Sequence, residues 1–304
     1  MINEPLDILQ LYPIRKTVGQ KESFRADVQR YIRELGYEVH TESCGRDGQN
    51  LVFGVTDTAE YLITAHYDTP ASIGISNVCT PCNALRSRVQ FLVTFLLSFS
   101  LSLSAGLLVK AGHILPGVLL FLPILIFLHL IRNGPANVNN ANDNTSGLVT
   151  LLEIARTLPE AHRKKVGFIL FDLEEKGLKG SAAYRKAHKA ATEKQLVLNL
   201  DCVGDGDHIL FLPNKKARQD AGLISRLQYL GGWFGKKQIL TIDKGYCRYN
   251  SDHRSFPLAV GVGAFHKKKK TYVLDKIHTR YDTNLDMTNV NLLRASLITF
   301  IANT

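Results

Sequence analysis

The sequence predicts an α/β fold, a mixed and mostly parallel sheet with helices on both faces, interrupted by a two-helix transmembrane hairpin. Three observations carry this expectation. Apolar runs of strand length, YLITAH (Tyr61 to His66), VGFILFDL (Val166 to Leu173) and LVLNLD (Leu196 to Asp201), alternate with stretches of helical periodicity, as in folds that cover a sheet on both faces. Each of those runs ends in acids or histidine, where open α/β sheets place their sites. Between Val89 and Ile131 the only charge is Lys110.

In chain order, Phe24, Val28, Tyr31 and Ile32 recur at helical spacing within residues 20–35 and are closed by Gly36, which predicts an amphipathic helix with a glycine stop. The run at Tyr61 follows. A polar, turn-rich passage, NGPANVNNANDNTSG, then leads into a helix over Leu148 to Leu158. The buried run from Val166 gives way at Glu174-Glu175 to a helix around SAAYRKAHKAA. After Asp201 the pattern predicts a helix near residues 217–231, strands at ILTI and AVGVGAF, and a closing helix from about Thr288 to Ala302.

The hairpin divides into Val89 to Val109 and Ile114 to Ile131, both uncharged and joined by KAGH. Roughly 20 apolar residues cross a bilayer as a helix, and Pro116 and Pro123 are tolerable where neighbouring helices satisfy the freed backbone. Buried core helices would show a polar face, which serines alone do not supply. Residues 1–87 and 132–304 are therefore read as one catalytic domain and 88–131 as an inserted hairpin in the lipid bilayer. Arg86, Arg88 and Arg132 flank it while the turn has only Lys110, so the positive-inside rule puts the catalytic domain in the cytoplasm. The segment Met1 to Lys16 has no apolar h-region, so no secretory signal is expected there.

The net charge of +10 could suit nucleic acid, but no aromatic-basic interleaving or nucleic-acid module accompanies it. An anionic leaflet fits better. The five cysteines are odd in number and irregular in spacing, which argues against a disulfide framework. Cys79-Thr-Pro-Cys82 has CxxC form, with no second pair to complete a zinc site.

The chemistry-bearing residues are His66 and Asp68 after the first run, Glu174 and Glu175 after the second, and Asp201 after the third, with Asp143 and His278 in loops. Each has an ordinary alternative: a surface histidine, a solvated helix start, a turn acid before a helix. Their ordered recurrence at strand ends favours a site.

The pieces TAHYDT, ANDNTSG, FDLEEKGLKGSAAY, NLDCVG, SDHRSF and IHTRYDT resemble, in order, the motifs of the co-catalytic dizinc aminopeptidases and related exopeptidases, metallopeptidase family twenty-eight. The resemblance implies a zinc exopeptidase fold and two Zn2+ ions bridged by Asp143, one also held by His66 and Asp201, the other by Glu175 and His278. Histidine nitrogen and carboxylate oxygen suit zinc, and a metal pair can activate a shared hydroxide. It implies Glu174 as general base, Asp68 as the acid orienting the His66 ring, Asp252 and His253 near the substrate, and Tyr249 and Tyr246 as candidate oxyanion donors. The expected activity is removal of N-terminal residues from peptides. Glutaminyl cyclases share the fold and much of the ligand set, and a receptor-like homologue could keep the fold without the chemistry. The short EEKGLKGSAAY run favours the peptidase, and all the ligands are present. The hairpin departs from the family pattern. Eleven steps separate Arg132 from Asp143, which places the site within roughly 40 Å of the membrane surface. Oligomeric state is open.

Overall fold

A computed structural model describes residues 1–72, 78–243 and 247–303. Helix α1 (Val18–Glu34) starts where Thr17 and Gln20 cap each other reciprocally, the Gln20 N–H donating to Thr17 Oγ1 at 3.3 Å and the Thr17 N–H to Gln20 Oε1 at 3.0 Å. It stops at Gly36, whose φ of 86° suits a helix end. Strands β1 (Val39–Ser43) and β2 (Gln49–Gly54) precede β3 (Tyr61–His66). The hairpin α2 (Ala84–Lys110) and α3 (Ile114–Asn133) comes next, then α4 (Gly147–Thr157), β4 (Val166–Phe171), α5 (Lys179–Ala187), β5 (Leu196–Leu200) and β6 (His208–Pro213). The chain closes through α6 (Ala221–Tyr229), β7 (Gly232–Phe234), β8 (Lys237–Thr241), β9 (Ala259–Lys268), β10 (Thr271–Val273) and α7 (Met287–Ala302).

The strands form one mixed sheet in the order β1-β2-β4-β3-β5-β9-β6-β8-β7, with β10 beside β9. Its centre, β4-β3-β5-β9, is parallel throughout. Alternation sends Tyr61, Ile63 and Ala65 to one face, where α1, α4, α6 and α7 supply Phe24, Leu151, Leu227 and Leu297, and sends Leu62, Ile169 and Val197 to the other, against Tyr184 of α5 and Phe256. Burial on both faces explains why these strands read as continuous apolar runs.

The sequence-predicted α/β class holds. Two details differ. The helix expected near residues 217–231 is split, because Asp220 breaks it and its side chain accepts from the Leu223 N–H at 2.9 Å, starting α6 afresh. The helix around SAAYRKAHKAA likewise ends at Ala187.

In the hairpin, α3 packs on α2 at Gly117, where a Cβ would stand 2.5 Å from Val109 Cγ2 and 2.8 Å from the Ala105 carbonyl. Only glycine allows that approach. The Ser100 and Ser102 hydroxyls donate back to the carbonyls of Leu96 and Ser98 at 2.6 and 2.8 Å, so these serines present no unsatisfied donor to their surroundings. Leu119, Leu125, Ile126 and Leu128 face outward, exposed. Among the described residues, one helix, Ile114–Asn133, is long and apolar enough to cross a membrane.

The hairpin's base meets the domain directly. Arg132 Nη2 donates to the Lys176 carbonyl at 3.1 Å, Lys176 Nζ to Asn133 Oδ1 at 3.3 Å, and the Arg248 N–H to the Pro81 carbonyl at 2.7 Å.

Candidate metal centre

The carboxyl ends of β3, β4 and β5 deliver His66, then Glu174 and Glu175, then Asp201 to one place. The backbone turns sharply there: Leu173, before the paired acids, has φ 57°, Cys202, after Asp201, has φ 54°, and His278 itself has φ 61°. Left-handed backbone is uncommon outside glycine and gathers at functional sites.

Asp143 reaches this cluster from the turn before α4. Its Oδ1 lies 3.3 Å from His66 Nε2 and its Oδ2 3.0 Å from His278 Nε2. Asp201 Oδ1 is 3.9 Å from His66 Nε2, and Glu175 Oε1 is 3.6 Å from His278 Nε2. Thus His66, Glu174 and Glu175 form one trio whose ligand atoms all lie within 4.8 Å of one another, and two further trios, His66, Asp143 and Asp201, and Asp143, Glu175 and His278, meet at one residue. Asp143 belongs to both of the latter.

The turn carrying Asp143 is held by residues that sequence reasoning missed. Asp282 accepts from the Asn142 and Asp143 N–H groups at 2.8 and 3.0 Å. Asn144 joins the turn to the end of β5, donating to the Leu200 carbonyl at 2.9 Å and accepting from the Cys202 N–H at 3.1 Å. A Cβ on Gly147 would stand 2.4 Å from Asn144 Oδ1 and 2.5 Å from the Leu200 carbonyl, so the turn can lie this close to β5 only with glycine there. Arg15, fully buried, donates to Asn140 Oδ1 and Thr145 Oγ1 at 3.2 and 3.1 Å. The one available signal was the Asp282 of IHTRYDT, four residues past His278.

Asp68 has two tasks. Its Oδ1 lies 3.5 Å from His66 Nδ1, and its two oxygens accept from the Glu174 and Glu175 N–H groups at 3.1 and 3.2 Å. One carboxylate thus faces the ring of one ligand and fixes the loop that carries another.

Electrostatics mark the cluster as a cation site. Burial pushes Glu174 well above the usual carboxylate range, and the charges of Glu175, Asp252 and Asp201 add to this against His66. Burial also drives Glu175 up to about 8, with Asp143 adding and His278 opposing. His278 rises to about 9 because Glu175 and Asp143 outweigh its burial. Asp143 is the exception. Burial would raise it, but the facing His278 and His66 imidazoles hold it below its ordinary value. Its Oδ1 is nonetheless buried with no hydrogen-bond partner, an acceptor suited to a cation. Four acids packed around two histidines, all nitrogen or oxygen donors, fit zinc.

These residues line a cavity of about 340 Å³ together with Glu174, Cys79 and Arg248. The proposed substrate-facing residues are placed differently. Tyr249 lines the cavity, but its buried hydroxyl donates to the Asp201 carbonyl at 2.7 Å. In this structure that hydrogen bond supports the end of β5. Asp252 and His253 are buried and do not line the cavity. Ser251, reached from β3 through Thr64 and Asn199 at 2.8 and 2.7 Å, sets their position behind its wall. Burial raises Asp252 to about 7 and lowers His253 to about 4. Tyr246 lies outside the described residues.

The family model described as peptidase family M28 matches residues 129–301. Among solved structures, a Zn-dependent exopeptidase from Parabacteroides distasonis superposes with a TM-score of 0.64 at 15% identity, over 99% of this chain and 96% of its own. A glutaminyl cyclase from Porphyromonas gingivalis does so with a TM-score of 0.62 at 17% identity, over 99% and 97%. The LapA aminopeptidase of Legionella pneumophila gives 0.59 at 15% identity, over 99% of this chain and 68% of that one. No curated protein sequence matches this chain significantly.

Proposed function

We propose, from the premise that this chain belongs to peptidase family M28, that it is a membrane-anchored aminopeptidase using two zinc ions. The observation that carries the reading is the position of Asp143, one oxygen toward His66 and the other toward His278, so that two complete ligand trios share one carboxylate. Zinc bound by His66, Asp143 and Asp201 and by Asp143, Glu175 and His278 would polarise the peptide carbonyl and make water nucleophilic near neutral pH. Glu174 belongs to neither of these two trios and lines the cavity. There it would take the proton from the attacking water and return it to the leaving amine.

Glutaminyl cyclases share this fold, so substrates must discriminate. The wild type is expected to hydrolyse aminoacyl p-nitroanilides, to lose activity on chelation and regain it with zinc, and to leave N-terminal glutaminyl peptides uncyclised. Cyclisation without hydrolysis would replace the reading. Inertness toward both, with metal bound, would leave a non-catalytic homologue.

The anchor is the hairpin α2–α3, with its exposed apolar surface and its base against Lys176, the residue after Glu175. In this reading the catalytic domain is cytoplasmic and the turn near Lys110 lies across the membrane. The protein is expected to sediment with membranes and resist alkaline carbonate and 1 M salt, at which screening shortens to about 3 Å and purely electrostatic adhesion is released. Release by salt alone would remove the membrane assignment.

A further inference from the structure

Next to one wall of the cavity lies a thiol pair that the proposed chemistry does not use. Cys82, at the foot of α2, and Cys247, 165 residues later, bring their sulfurs to 2.9 Å, and both residues are partly exposed. They sit on the segments that build this wall. Residues 78–80 and 248–250 both line the cavity, and the Arg248 N–H already donates to the Pro81 carbonyl at 2.7 Å. Cys79 is pinned in turn, its N–H and carbonyl pairing with Leu274 at 2.8 and 2.9 Å. Two partly exposed thiols from distant segments, touching across a hydrogen-bonded seam, are placed for cross-linking rather than for packing alone.

We propose that Cys82 and Cys247 form a reversible disulfide, made by exchange with a low-molecular-weight disulfide, that clamps this wall and changes how substrates fit the cavity. The effect on substrates rests on the peptidase reading; the cross-link does not. The Cys247 thiolate attacks one sulfur of the small disulfide and displaces one thiolate. The Cys82 thiolate then attacks the Cys247 sulfur of the mixed disulfide and displaces the second. Two protein thiols become one disulfide, the small disulfide becomes two thiols, and the two protons leave on those thiols. The shared proton with Cys82 and the charge of Arg218 hold the Cys247 thiol below its ordinary value, which favours it as the attacking group. In a thiol-reducing compartment the pair stays open.

The test uses full-length protein incubated with oxidised glutathione, alkylated and peptide-mapped without reduction. A peptide joining Cys82 to Cys247, lost on reduction, is expected; Cys79→Ser should retain it and Cys82→Ser abolish it. The oxidised wild type should show KM values for aminoacyl substrates shifted roughly fivefold or more, with kcat changed less, as for a change in ground-state fit. Free thiols after oxidation, stable glutathione adducts without a cross-link, or pairing through Cys79 would overturn the assignment. A cross-link with unaltered KM on an active enzyme would overturn its effect on the cavity. The mass readout stands whether or not the protein cleaves peptides, so failure of the peptidase reading is separately visible.

Discussion

Replacing Glu174 by glutamine will lower turnover by about 10²–10⁴-fold, the range that general-base catalysis covers, while metal content and thermal midpoint stay at the wild-type level. Glutamine keeps the size and hydrogen-bonding shape of the side chain but cannot take a proton at neutral pH. Nothing holding the loop depends on the carboxylate, since the Glu174 N–H, not its side chain, is what Asp68 accepts from. Glu174 is also outside the two trios that share Asp143. Turnover of a p-nitroanilide, metal analysis and a melting curve decide the matter together. A mutant with full metal and near-wild-type turnover would assign the proton to another group.

Asp143→Ala will empty both metal positions and abolish activity, whereas His66→Ala will deplete mainly one. Asp143 supplies an oxygen to each trio, and His66 contributes to one of the two. Removing the bridging carboxylate also takes away the negative charge between two dications, and that term acts on both ions at once. Metal counting after dialysis reads the difference. Equal, single-ion losses in the two mutants would show that Asp143 does not bridge.

What could be read from the sequence follows a physical division. His66 and Asp201 stand where a nearly continuous apolar run stops, and Glu174 and Glu175 follow the end of a third after Asp172 and Leu173; burial of β3, β4 and β5 on both faces makes those boundaries sharp. Asp143 and His278 lie in loops and became legible through their motifs. Strand β1 was invisible because its residues are exposed or half-buried without apolar alternation. The residues that hold the site, Asp282, Asn144 and Arg15, act on backbone groups brought close by the fold. Such contacts have no periodicity to betray them. Tyr249 shows the same division: its motif suggests a place near the site, while the contact of its hydroxyl with the Asp201 carbonyl has no sequence signal.

The place of the hairpin in the connectivity sets a parity. β3 and β4 are parallel neighbours, paired from Tyr61 with Val166 to His66 with Phe171, and the whole hairpin lies between them in the chain. A backbone that leaves a sheet and returns to the adjacent strand must come back to the side of any bilayer it left. The crossings between His66 and Val166 are therefore even in number. Ile114–Asn133, apolar enough to cross by itself, cannot do so alone while β3 and β4 remain paired; Ala84–Lys110 crosses with it, or neither does. If the hairpin is inserted as proposed, a substitution that keeps α2 out of the bilayer would set insertion of α3 directly against closure of the sheet that assembles His66, Glu174 and Glu175.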